Sequence, residues 1–272
     1  MAGVSPHLQR ATAHMEKPPT LGLGIADDDL LVFIDETGHE SLPSDAPIFG
    51  VGGIIVYGAD YESSVAQPWL DLKARIGLAP DRTLHAATDF SVYGEHLELL
   101  QRFFETGIFV RHAAMVTATT TSTHSPFITA SCAGLARNVG RTLARVVRNS
   151  PVTRVVYVVE HSERLHSTYQ SLVGPGGPVL EAQDGRRLTF QQQWAAIRKS
   201  SCIPGLEVAD FVLHAAYGQV RAQMRRAGAP YRKDFQAVFR SVHREHVEYM
   251  EIKNAEAVAA DGPPGVFRIG LQ

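Results

Sequence analysis

Two apolar runs in this chain end in acid. Leu30-Leu31-Val32-Phe33-Ile34 leads into Asp35-Glu36-Thr37-Gly38, and Val152–Val159 leads into Glu160. Runs of this kind bounded by turn signals read as buried strands. A buried carboxylate is costly unless it is paired, hydrogen-bonded or bound to a metal. Each acid is therefore either the start of a solvated turn or one wall of an acidic site. A third group lies on Pro204-Gly205-Leu206-Glu207-Val208-Ala209-Asp210-Phe211-Val212-Leu213-His214. On a helix Glu207, Asp210 and His214 share one face, while Val208, Phe211, Val212 and Ala215 dock the other side. If both strands point the same way, their acids meet at one sheet edge, where open α/β sheets place ligands. Clustered carboxylates repel one another and suit Mg²⁺ or Mn²⁺, which offset the repulsion. Two such ions about 4 Å apart activate a water and stabilise the leaving oxygen in phosphodiester hydrolysis. His214 would then protonate the leaving group or steer a water.

Plainer explanations compete with this one. Glu207 and His214, each taken alone, fit the solvated face of an amphipathic helix. Glu160-His161-Ser162-Glu163 fits a polar loop, with Glu163 as a substitute acid. Asp210 sits in a largely apolar stretch and is harder to explain away. His85, after Leu84, reads as a packed or loop histidine.

The elements that must position these residues follow from periodicity. Residues 1–28 are polar and aperiodic and read as a tail. Leu30–Ile34 and Ile48–Tyr57 read as an antiparallel pair, with Gly50, Gly52 and Gly53 marking a bulge or a close backbone approach. Residues 63–76 and 95–105 have helical spacing, and Ile108–Thr117 is a third strand. Ser125-Pro126 opens a helix that runs to about Asn149. One face of it carries Leu135, Val139, Leu143, Val146 and Val147, and another carries Arg137, Arg141, Arg145 and Arg148. Residues 173–188 form a Gly- and Pro-rich loop, Gln191–Lys199 a short helix, and Ser201–Gly205 a turn. A long helix covers 206–226 and a last one 231–249. The fold expected is a single α/β domain over residues 29–252, with 253–272 as a second tail.

Composition narrows the function. Lys and Arg number 26 against 28 Asp and Glu, a net charge of −2 that gives no overall basic field. Local basic groups remain: the arginine stripe, and Arg221 and Arg225 with Arg226, Arg232 and Lys233 after the acidic helix. Basic flanks beside an acidic centre suit a phosphodiester substrate. Cys132 and Cys202 share no short spacing, so neither a disulfide framework nor a zinc knuckle is implied. No stretch has signal-peptide or transmembrane character, and the default compartment is the cytoplasm. There is no Gly-rich phosphate loop. Aromatic content of 8% disfavours a two-carboxylate glycosidase with its sugar platforms.

Asp35-Glu36-Thr37-Gly38 after an apolar strand resembles the Asp-Glu-Ser-Gly opening of the domain of unknown function 3800 family. Gly52-Gly53-Ile54-Ile55, Leu84-His85 and Gly205-Leu206-Glu207-Val208-Ala209-Asp210-Phe211 look like its later motifs, and the match spans residues 30 to 220. The resemblance implies a ribonuclease-H-like mixed sheet flanked by helices. It implies a nuclease of mobile elements or of defence and toxin systems, acting on DNA or RNA. Asp35, Glu160 and Asp210 would then hold Mg²⁺ or Mn²⁺, Glu36 and Glu207 would assist, and His214 would manage protons. Glu160 departs from the Asp more usual at that strand end. The alternative is a fold of the same type kept as a binding module or subunit, with a protein partner or a second copy of the chain.

Overall fold

The computed structural model describes residues 22–38, 48–89, 96–118, 125–161, 179–181, 187–224, 247–252 and 266–268. Its centre is β1 (Asp29–Thr37), whose residues 29–34 are all buried. β2 (Ile48–Tyr57) returns antiparallel beside it, with Asp35 opposite Gly52. Helix α1 (Gly58–Tyr61) runs through a π turn (Glu62–Ala66) into α2 (Gln67–Arg75). Pro68, near the start of α2, has no N–H to give to the turn before it. Next come α3 (Leu97–Thr106), β3 (Val110–Ala118) antiparallel to β2, and α4 (Ser125–Val146). β4 (Arg154–Glu160) then lies parallel to β1 on its other side.

The remaining chain departs from the sequence-based expectations in several places. Gln191–Lys199 was expected to be helical, because Gln and Ala are good helix formers. Instead Gln191–Ile197 is a strand, β7, parallel to β4. The open edge of β4 offers unpaired backbone groups, and Trp194 stacks on Tyr157 across it at 4.4 Å. Tertiary pairing overrides a weak local preference. Two short strands, β5 (Val179–Glu181) and β6 (Arg187–Leu188), lie inside the expected 173–188 loop. Helix α5 (Pro204–Met224) starts two residues early, as Pro is tolerated in a first turn. The last expected helix, 231–249, ends in what is a strand, β8 (Val247–Ile252), parallel to β3; its residues 231–246 lie outside the described set. β9 (Val266–Arg268), within the expected second tail, pairs with β5. Residues 22–28, assigned to the first tail, are also tied down: Gly24 carbonyl accepts from Arg154, and Ile25 packs on the core.

The main sheet has the order β7-β4-β1-β2-β3-β8, and β6-β5-β9 form a small second sheet. Among the described residues the architecture is α/β, with a mixed sheet between helices. One face packs on α4: Leu30, Val32, Ile34, Val155, Tyr157 and Val159 meet Leu135, Val139 and Leu143. The other packs on α2, α3 and α5: Leu31, Phe33, Val156 and Val158 meet Trp69, Phe103, Val208 and Phe211. Strand alternation decides which residue looks which way.

Two glycines set how closely α5 approaches. A Cβ on Gly205 would stand 2.5 Å from the Phe33 ring. At Gly53, whose φ is +150°, a Cβ would lie 2.6 Å from that of Ala209. The first turns of α5 therefore lie against the Phe33 ring of β1 and almost on the backbone of β2 at Gly53, which is the close approach read from the glycines of β2.

An ion pair fixes the far end of the two central strands. Asp29 is buried, and its Oδ1 accepts from Arg154 Nε at 2.8 Å while Oδ2 accepts from Arg154 Nη2. Arg154 also donates from Nη1 to Gln193 on β7 at 2.6 Å, so one guanidinium joins three neighbouring strands. Burial opposes ionisation of Asp29, but Arg154 and the Ala26 amide outweigh it and hold the carboxyl below its ordinary value. Such a group stabilises the fold above the ordinary carboxylate range and loses its contribution as pH falls through the lowered pKa. Asp29→Asn is expected to cost about 1.5–3 kcal/mol at pH 7, the scale of hydrogen bonds to a charged group. The variant should also show a shallower loss of stability in acid. Urea unfolding of both proteins from pH 7 down to pH 2 checks this; parallel curves would refute it.

Candidate functional site

Register brings the first two acids together. Ile34 is level with Val159 across the parallel β1–β4 pair. Asp35 and Glu160 are the next residues of each strand and follow the same face as Phe33 and Val158, toward α5. Asp210 reaches the same place from α5. Asp35, Glu160, Asp210 and Glu207 line one pocket with Thr83, Leu84, His85, Ile203 and Leu206. Its volume of ≈ 20 Å³ is on the scale of one water or one ion, so a larger substrate must lie across its mouth. The three acids expected to form the core are thus gathered at one sheet edge from positions far apart in the chain.

The four carboxylates are not equivalent. Glu207 is buried, and its oxygens are already engaged. Oε1 accepts from Lys73 Nζ at 3.0 Å and from the Leu84 amide at 3.3 Å; Oε2 accepts from Trp69 Nε1 at 2.5 Å and from Lys73 at 3.2 Å. Burial pushes its carboxyl above the ordinary value, and Lys73 and the N–H donors pull against that. The expected assisting ligand is therefore a structural carboxylate facing a fully buried lysine. Asp35, Glu160 and Asp210 are only half-buried. Asp35 Oδ1 accepts the Glu36 amide at 2.8 Å, which steadies the strand end.

Glu36 follows Ile34 to the opposite face of the sheet. It lies near enough to Cys132 on α4 to add to the burial that pushes that thiol up to about 12. A direct part in the pocket is not available to it there. His214 is also displaced from its expected role: it lies one turn beyond Asp210 and does not line the pocket. The histidine that does is His85, whose Nδ1 is 3.5 Å from Asp210 Oδ2. From the sequence it reads as a packed or loop histidine.

The loop that carries His85 is pinned from several sides. The Ala86 amide donates to Asp210 Oδ2 at 3.0 Å, and the Leu84 amide to Glu207. Cys202 Sγ donates to the Asp81 carbonyl at 3.0 Å and lies 3.3 Å from Thr83 Oγ1. Cys202 itself has φ +49°, a left-handed conformation that non-glycine residues seldom adopt. Lys73, Trp69 and Cys202 were all missed. For Lys73 a signal existed: Trp69, Leu72, Lys73 and Ile76 have the i, i+3, i+4, i+7 spacing of a buried stripe, and a lysine in that stripe demands an acid partner. Nothing in the sequence marked Cys202.

The arginine stripe lies across the sheet from the pocket. Its helix, α4, packs by Leu135, Val139 and Leu143 on the face opposite Asp35 and Glu160. Arg141, Arg145 and Arg148 are exposed there, and Arg137 is half-buried. Arg221 is within α5 but its side chain lies outside the described residues, as do Arg225, Arg226, Arg232, Lys233 and Glu163.

The donor chemistry of Asp35, Glu160 and Asp210, all carboxylate oxygen, fits a hard divalent cation. Among the described residues, however, no three His, Cys, Asp or Glu side chains come together closely enough to form a metal centre. No helix among them is long and apolar enough to cross a membrane. No family model matches the chain, and no curated protein or solved structure matches it either.

Removing one partner of a buried pair strands the other without compensation, at a cost of about 3–5 kcal/mol. Lys73→Met and Glu207→Gln are each expected to lose stability on that scale. The double variant should lose less than the sum, because neither charge is then left alone. Chemical denaturation of the four proteins measures the coupling; additive losses would show that the two groups act independently.

Proposed function

We propose that the pocket hydrolyses phosphodiester bonds of DNA or RNA with a divalent cation, on a ribonuclease-H-like fold. One observation carries the proposal: acids from β1, β4 and α5 line a single pocket beside a histidine. The strand order supports the fold assignment, with a three-strand antiparallel meander and two further strands parallel to its first. The resemblance to the domain of unknown function 3800 family rests on the motif residues, and those same motifs supply Asp35, His85, Glu207 and Asp210.

Asp35, Glu160 and Asp210 would hold Mg²⁺ or Mn²⁺. A bound ion would polarise the phosphoryl oxygens and make a water acidic enough to attack. The protein's own groups do the rest. Asp210 holds the Nδ1 side of His85 and the Ala86 amide, which orients the imidazole. Nε2 is then the nitrogen left to accept a proton from the attacking water or to give one to the leaving oxygen. Glu207, neutralised by Lys73, adds little negative charge to a pocket that must accept a phosphate. Glu160, longer by one methylene than the Asp usual in such a place, reaches further from its strand for the same ligand role.

A second reading has an observation of its own. The acids share a pocket, but no three of them lie close enough to hold a metal ion among the described residues, which favours a binding module or subunit of a defence, toxin or mobile-element system. Cleavage assays separate the two. With Mg²⁺ or Mn²⁺ the wild type is expected to cut single-stranded or duplex nucleic acid, and Asp35→Asn and Asp210→Asn are expected to abolish cutting. His85→Ala should slow it by about 10²–10⁴-fold, while His214→Ala should leave the rate nearly unchanged. Mn²⁺ should raise the melting temperature of the wild type, as any ligand of the native state does. No cleavage together with no thermal shift would sink the nuclease proposal in favour of the binding module.

A further inference from the structure

A groove of ≈ 160 Å³ lies between α2 and α3, lined by Pro68, Asp71, Leu72, Arg75, Leu99, Arg102, Phe103 and Thr106. Arg75, in the last turn of α2, and Arg102, on α3, are both exposed. Neither guanidinium has a carboxylate partner among the described residues. Asp71, the one acid of the lining, takes a hydrogen bond from Gln67 Nε2 at 2.8 Å. Two cations against one acid leave the groove net positive. Of its apolar lining Leu99 is half-buried, while Leu72 and Phe103 belong to the buried core beneath it.

The groove belongs to the same helical layer as the carboxylate pocket. Between them lies an apolar pocket that shares Leu84 with the acidic site and Leu72 with the groove. A linear ligand held at the acids and running over this layer arrives at the two arginines. From this placement we infer that Arg75 and Arg102 form a phosphate-anchoring subsite for a single-stranded polynucleotide, remote from the bond that is cut. The inference rests on the nucleic-acid reading of the pocket. Guanidinium groups recognise phosphate through paired N–H donors, and the half-buried Leu99 of the same lining offers apolar surface to a sugar or base whatever the sequence. The arginine stripe of α4, although more basic, is on the far side of the sheet and cannot serve a strand that enters the pocket.

Fluorescence anisotropy with labelled 20-nucleotide DNA and RNA single strands in EDTA, which prevents cleavage, tests it. For single strands each lost phosphate contact lowers the salt slope by about 0.7. Arg75→Ala/Arg102→Ala should therefore flatten the slope by about 1.4 and weaken binding about 25-fold at 0.1 M salt, at two factors of about 5. Arg141→Ala/Arg145→Ala removes the same charge from the far face and should leave binding unchanged. Equal loss in both double variants, or no loss in the first, overturns the subsite. So does a polyglutamate peptide of equal length binding as tightly as the oligonucleotide. Cleavage of bis(p-nitrophenyl) phosphate, with a single diester, should be the same in wild type and Arg75→Ala/Arg102→Ala. A wild type that cuts nothing but binds strands through Arg75 and Arg102 would end the hydrolysis proposal and keep the subsite. A wild type that cuts while the double variant binds normally would do the reverse.

Discussion

The candidate site depends on one buried carboxylate that belongs to its lining but not to its proposed chemistry. Glu207 stands in the apolar layer between α2 and α5, where an isolated charge would be intolerable. Lys73 meets it from α2, Trp69 donates from one turn before Lys73, and the Leu84 amide donates from the following loop. A buried pair of this kind adds little net stability over an apolar pair. It ties three segments together, because donors from α2 and from the following loop converge on one carboxylate of α5. Asp210 is three residues further along α5, and His85 follows Leu84. Their meeting at 3.5 Å is thus a consequence of how Glu207 is satisfied.

The sheet supplies the other half of the site through parity. Residues of β1 alternate between α4 and α5, so two adjacent acids are sent to opposite faces. Asp35 goes to the pocket and Glu36 to the neighbourhood of Cys132. Because β4 is parallel to β1 and in level register, Glu160 arrives beside Asp35 with no further device. The far end of the same strands is clamped by Asp29 and Arg154, so a slip in register would break that clamp and separate the acids together. Gly53 and Gly205 then let α5 close on this face.

The pocket combines half-buried and fully sequestered polar groups. The one acid deep in the apolar layer is matched by a lysine. The half-buried acids stand at the mouth with His85. On the helical layer that faces the acids, the groove between α2 and α3 carries the guanidinium groups of Arg75 and Arg102, whereas the longer stripe lies on α4 across the sheet. Charge counted along the chain points to α4 and to Arg221 and Arg225 at and beyond the end of α5. Charge counted on the face that carries the acids points to the groove between α2 and α3.

Much of this was legible in the residues. The apolar runs ending in Asp35 and Glu160, the antiparallel pairing of the first two strands and the apolar side of α5 follow from hydrophobic periodicity, a local property. The close approach at Gly53 was marked by the glycines. Tertiary structure alone decided the rest. Gln191–Ile197 is a strand because β4 has an edge to fill, which no local propensity reveals. The pocket histidine is His85 because the Leu84 and Ala86 amides are drawn onto the acids of α5, across a sequence separation of more than a hundred residues. Glu207 reads from the sequence as a ligand on a helix face, and Lys73 was not singled out at all. Each makes sense only beside the other. A sequence shows which side chains could bear charge, but the partner that satisfies a buried charge is a fact of packing.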